Sequence, residues 1–147
     1  MHTDPMKRNW NIHEMLDRSS GVITAFVKSR ECSKKAEAKF DRTLDHLVQQ
    51  ERASWSRPKA SPLGNHIYVI RFEDENRKQL RVFGHFDDKQ HCFVMTLPGG
   101  EKNDTYYPSN YLAQAARNRT AVEVDFFQRT AGYDGRCDHR NCEVTAL

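Results

Sequence analysis

The stretch from His66 to Leu97, HIYVIRFEDENRKQLRVFGHFDDKQHCFVMTL, constrains the fold of this chain more than any other. Three runs rich in β-branched and aromatic residues are separated by two short polar breaks, EDENRK and DDKQ. Such residues pack well on a pleated surface and polar breaks mark turns, so the spacing predicts an antiparallel three-strand meander. Side chains alternate between the faces of a strand. In the first run Ile67, Val69 and Arg71 share one face, opposite His66, Tyr68, Ile70 and Phe72. In the second, Leu80, Val82 and Phe86 oppose Arg81, Phe83 and His85; in the third, Phe93, Met95 and Leu97 oppose Cys92, Val94 and Thr96. An arginine in mid-strand is disfavoured for burial. One consistent assignment therefore buries Tyr68, Ile70, Phe72, Leu80, Val82 and Phe86 against helices and leaves Arg71, Arg81 and His85 on an open face.

The flanking segments supply those helices. Trp10 to Leu16 alternates in a way that suits a short strand. Ser19 or Ser20 offers a cap for a helix whose face carries Val22, Ile23, Phe26 and Val27. A second helix is predicted from Ser33, with Ala36, Phe40, Leu44, Leu47 and Val48 as its apolar stripe and its lysines on solvated faces. The short break SREC between them implies an antiparallel helix pair. Residues 51–65, with two prolines, three serines and a glycine, read as a loop, and PGGEKNDTYYPSN after Leu97 as another. Ser109 is the expected N-cap of a last helix bearing Leu112, Ala115, Ala116, Val122 and Phe126, with Gly132 as its stop. The expected fold is α+β: a small antiparallel sheet, made of the N-terminal strand and the meander, packed against two N-terminal helices and followed by a C-terminal helix. It forms a single domain over residues 1–147, with its core at about 10–126 and a tail with little to bury at about 128–147.

Composition limits the function classes. A chain of 147 residues suffices for one core. At 37% hydrophobic and 29% charged residues it falls outside the disordered range. The formal charge of +3 is only weakly suggestive of a polyanionic partner. No apolar run approaches the ~20 residues needed to span a bilayer, and MHTDPMKRNW has no secretory core, so a cytoplasmic location is the default. In that compartment Cys32, Cys92, Cys137 and Cys142 are expected as free thiols. Cys137, His139 and Cys142 form a C-x-H-x-x-C cluster, but a structural zinc site needs four ligands, and an exposed polar tail is the simpler reading.

Two arginines and a histidine on one open sheet face would make a local anion site. Alternatively, Arg71 and Arg81 pair with Glu73, Asp74 or Asp87, and periodicity alone favours that pairing. The order of elements and a set of short motifs add a further indication. Pro62-Leu63-Gly64, Ile67-Tyr68-Val69-Ile70-Arg71-Phe72, Arg81-Val82-Phe83, Phe93-Val94-Met95-Thr96-Leu97, Lys102, Pro108 and Ala115 occur in sequence. Together they resemble the RelE/ParE toxin superfamily, and most of all its HigB-like, phage-derived branch, over about residues 10–126. The resemblance implies the toxin of a type II toxin–antitoxin pair: a ribosome-dependent mRNA endoribonuclease silenced by a cognate helix-turn-helix antitoxin, with no membrane partner.

Such chemistry directs a ribose 2′-OH at the adjacent phosphorus and needs a proton acceptor and cationic donors, with no metal or cofactor. The resemblance assigns Arg71 and Arg81 to the phosphate and matches Lys102 to a family lysine. His85 is the candidate proton-transfer group. Tyr106 and Tyr107 are candidates for contacting RNA, as are Lys78 and Lys89 in the two breaks of the meander. One departure is that Lys102 is followed by Asn103 and Asp104 where the branch commonly has paired lysines. Two alternatives carry the same fold: a ParE-like gyrase binder, and a catalytically degenerate interaction module.

Overall fold

The structure, a computed structural model, describes residues 8–138. The strands are β1 (Asn11–Asp17), β2 (Ser20–Gly21), β3 (Ala60–Gly64), β4 (Ile67–Glu73), β5 (Gln79–Asp87), β6 (Cys92–Lys102), β7 (Thr105–Tyr107) and β8 (Thr130–Gly132). The helices are α1 (Val22–Val27), α2 (Lys34–Leu47), α3 (Tyr111–Val124) and α4 (Phe126–Arg129). All strands join one sheet in the order β2-β1-β6-β5-β4-β3, with β7 added to β6 and β8 to β1. Only β1 and β6 run parallel among these pairings. The fold is α+β, as expected, but the sheet is mixed and twice the predicted size.

The meander is present and acquires a fourth strand. β3 comes from the stretch read as a loop, and it tolerates Pro62 because it lies at the sheet edge, where a missing N–H breaks no inner ladder. The loop after Leu97 is likewise a continuation of β6 that folds back through a tight turn to β7. Asn103 and Asp104 at that turn both have positive φ (53° and 61°), the backbone a two-residue hairpin demands, and both residue types tolerate it.

One face of the sheet carries Ile70, Phe72, Leu80, Val82, Phe86, Phe93 and Met95. It packs against Ile23 of α1, Phe40 and Leu44 of α2, and Trp55. The two helices dock separately, α1 on β6 and β1 and α2 on β4, so the expected antiparallel pair is not their main contact. Ser33 caps α2 as predicted, its hydroxyl accepting from Ala36 N at 3.1 Å. Helix α1 is capped by neither serine. The carboxylate of Glu14 reaches across from β1 and accepts from Ile23 N (2.9 Å) and Thr24 N (2.8 Å). Gly21 makes room for it, since a Cβ there would collide with that carboxyl group.

The opposite face is the one expected to be open, and α3 covers it. Ile67, Val69, Phe83 and Leu97 pack against Ala115 and its neighbours, while Cys92 and Val94 meet Val122 and Phe126. Leu97 belongs to this face and not, as alternation predicts, with Phe93 and Met95. The register slips between Phe83 and Gly84, which face Leu97 and Met95, so Thr96 is bulged and the strand's alternation flips. Gly84 is needed there because a Cβ would strike the Val94 carbonyl and the Phe93 ring.

The N-cap of α3 is Asn110, one residue after the expected Ser109, and its side chain makes no capping bond. Residues 128–138 are no loose tail: β8 pairs with β1, Tyr133 is buried, and Arg136 bonds Asp45, Asp41 and Asp134. Cys32 and Cys92 are free and buried, whereas Cys137 is disulfide-bonded, against the expectation of thiols throughout. His139 and Cys142 of the proposed cluster lie outside the described residues, as does most of the expected frayed start. Among the described residues no helix is long and apolar enough to cross a membrane.

Candidate functional site

Arg71 and Arg81 lie directly opposite each other on β4 and β5, and Arg81 in turn faces Gly99 of β6. Both side chains are largely buried, at 8% and 6% residue exposure. Their surroundings differ sharply. Arg81 is paired: Nε donates to Glu101 Oε1 at 2.9 Å, and Nη1 donates to the carbonyls of Leu80 (2.8 Å) and Phe72 (3.2 Å). Arg71 donates from Nη2 to Tyr106 Oη at 2.7 Å, and its Nε and Nη1 have no partner. No described carboxylate pairs with it. A buried charge without a counter-ion costs several kcal/mol, roughly, unless something fills the gap.

Of the expected carboxylate partners, Glu73 lines the Arg71 groove without an ion pair to either arginine, and the other two are engaged elsewhere. Asp74 Oδ1 accepts from the backbone N–H groups of Asn76 (2.8 Å) and Lys78 (2.9 Å), and Asp87 Oδ1 accepts from Gln90 N (3.0 Å). Both acids shape turns. Arg81 finds Glu101 instead, a residue that sequence reading missed because PGG suggested that the strand ended at Leu97.

A groove of about 520 Å³ opens at Arg71, walled by Arg57, Pro58, Lys59, Phe72, Glu73 and Arg81. Lys59 is fixed beside Arg71 by its main-chain oxygen, which accepts from Arg71 N at 2.7 Å. Four cationic residues against one carboxylate make this a positively charged groove, and Arg71 brings to its wall a guanidinium that no carboxylate offsets.

His85 does not belong to it. It sits four residues along β5, about 13 Å from Arg81, sealed under α3 at 0% exposure. Neither ring nitrogen has a partner, and burial, with a smaller effect from Arg119, lowers its pKa to about 4. A neutral, solvent-free imidazole cannot exchange protons with a substrate in the groove, so the geometry removes the intended proton-transfer group. Lys89 is also remote, exposed in the turn at the far end of β5, about 20 Å or more from Arg81. Lys78 is engaged with Glu31, whose carboxylate accepts from Nζ at 2.9 Å and holds the lysine pKa above its usual range.

Three other candidates remain near the arginines. Lys102 is exposed at the end of β6, in a second cleft shared with Glu101 and Tyr107. Tyr107 is 38% exposed there. Tyr106 packs edge-on against Phe83 and Tyr111 and gives its hydroxyl to Arg71, so it orients that guanidinium and offers no free ring face. The Cys32 thiol is pushed up to about 11, chiefly by burial, and Cys92 is raised for the same reason, so neither supplies a thiolate at neutral pH. No group of three His, Cys, Asp or Glu side chains among the described residues is placed to hold a metal.

Compared with known proteins, the chain matches no family model, no curated protein and no solved structure.

Proposed function

We propose that this chain is an RNA-directed toxin of the RelE/ParE kind, a metal-independent endoribonuclease acting on mRNA at the ribosome and silenced by a helix-turn-helix antitoxin. The observation that supports this reading is Arg71, a buried guanidinium with two unpartnered nitrogens in a cationic groove. A phosphodiester seated in the groove meets the positive charge of Arg71, Arg57 and Lys59, and that attraction strengthens as charge builds on the phosphorus oxygens. The 2′-oxygen attacks phosphorus, the bond to the 5′-oxygen breaks, and the proton lost by the first ends on the second. Lys102 supplies a cation from the neighbouring cleft beside Glu101, and Tyr106 positions Arg71. Arg81 takes a structural part, its charge offset by Glu101.

A second reading draws on the sealing of His85, which leaves no evident proton acceptor, and on the pairing of Arg81 with Glu101, which offsets its charge. In it the protein binds phosphate without cleaving, as a degenerate interaction module or, like ParE, as a gyrase binder. Mapping of transcript 5′ ends after incubation with programmed ribosomes separates the two. Cleavage that falls at least 100-fold in Arg71→Ala, with folding intact, supports the nuclease. Intact transcripts with the wild-type protein, alongside RNA binding that Arg71→Ala abolishes, support the module; inhibited supercoiling in a purified assay identifies the gyrase binder.

A further inference from the structure

The Arg71 groove does not end at Arg71. It shares Lys59, Phe72 and Glu73 with a further cleft of about 360 Å³ whose other walls are Lys39, Arg42 and Thr43 of α2. On its other side Arg81 touches Glu101, which lines the cleft of about 590 Å³ holding Arg77, Lys102 and Tyr107. The three clefts make a row from α2, past the Arg81–Glu101 pair, to the β6–β7 hairpin, the first two of them continuous through Lys59, Phe72 and Glu73. Nine cationic residues line it against two carboxylates, whereas the whole chain has 23 against 20. Lys39, Arg42, Arg57, Lys59, Arg77 and Lys102 form no ion pair with any described carboxylate. Surface lysines and arginines in proteins of near-balanced charge ordinarily intersperse with acids; here they are segregated onto one concave track.

We infer that a single strand of RNA, several nucleotides long, occupies this track, with phosphates on α2 as well as at Arg71. The inference rests on the reading of the Arg71 groove as a phosphate site, and it is independent of cleavage. A row of clefts suits a flexible strand and not a stiff duplex. The exposed ring of Tyr107 beside Lys102 supplies a stacking surface for a base, which a paired base cannot use. Lys39 and Arg42 are the contacts that a one-phosphate site would not need.

Fluorescence anisotropy tests this with three probes: an unstructured 12-nucleotide RNA, the corresponding duplex, and a poly-glutamate peptide. The wild-type protein is expected to bind the single strand at least tenfold more tightly than either. Its log–log salt dependence should carry a slope of about −0.7 per phosphate contacted. Lys39→Ala/Arg42→Ala is expected to shallow that slope by about 1.4 and weaken binding, with an unchanged melting temperature. Unchanged affinity and slope in the double variant overturn the α2 arm, and preference for the duplex or the peptide overturns the single-strand assignment. Wild-type binding that depends on Lys39 and Arg42 while transcripts stay intact upholds the track and removes the nuclease. Cleavage with an indifferent double variant does the reverse.

Discussion

Arg71 and Arg81 show how two identical residues in register acquire opposite roles. Arg81 lies against Glu101 and two carbonyls, so Arg81→Met strands a half-buried carboxylate and two acceptors. Equilibrium urea unfolding should show a loss of about 3 kcal/mol. Arg71→Met removes a buried charge that has no counter-ion, and the same measurement should show stability unchanged or raised by about 1 kcal/mol, while RNA affinity falls at least tenfold. A site kept at the expense of stability is what a binding residue looks like. His85 makes a third case. Its pKa is about 4 when folded, against the ordinary histidine value of 6.5. Above pH 6.5 both states are neutral and stability is complete. Below it the unfolded chain takes up a proton that the folded chain refuses, so stability drains away as pH falls towards 4, by about 3 kcal/mol in all. His85→Leu should flatten this part of the stability–pH curve relative to wild type. An equal slope in both proteins would show that His85 is not its source.

Helix α1 has six residues, too few to hold together by its own hydrogen bonds. It depends on Glu14, and Glu14→Ala should cost about 1–2 kcal/mol in urea unfolding, more than the ~1 kcal/mol expected for the ordinary cap in Ser33→Ala. Equal losses would place the weight of α1 on packing alone. The contrast also explains what was readable. The Ser33 cap and the stripe of Ala36, Phe40, Leu44 and Leu47 are local patterns, visible in a window of fifteen residues. The Glu14 cap belongs to a different strand. Strands β3 and β7 were hidden by Pro62 and by Gly99-Gly100, residues that argue for a loop unless the edge position and the neighbouring chain are known. Composition marks where a chain can turn, and only pairing shows where it does not.

The molecule is a sheet covered on both faces and closed by its own C-terminal return. Arg136 connects that return to α2 through Asp41 and Asp45, and Tyr133 packs edge-on against Phe40 at 5.9 Å. Arg136→Ala should lower stability by about 2 kcal/mol, and a chain ending at Arg129 should lose cooperative thermal unfolding. Unaltered melting of the truncated chain would restore the view of this segment as a dispensable tail. The sequence by itself determined the three runs of the meander, the residues sharing a face up to the Thr96 bulge, the α2 stripe and its cap, and the grouping of Arg71, Arg81 and His85 on one face. These follow from side-chain periods of 2.0 and 3.6, which each segment carries within itself. The tertiary structure decided whether that face is open, which arginine keeps its charge available, and that His85 is shut away. Those outcomes are set by desolvation and by counter-ions. Both come from whatever packs across: α3 over His85, and Glu101, twenty residues on, against Arg81.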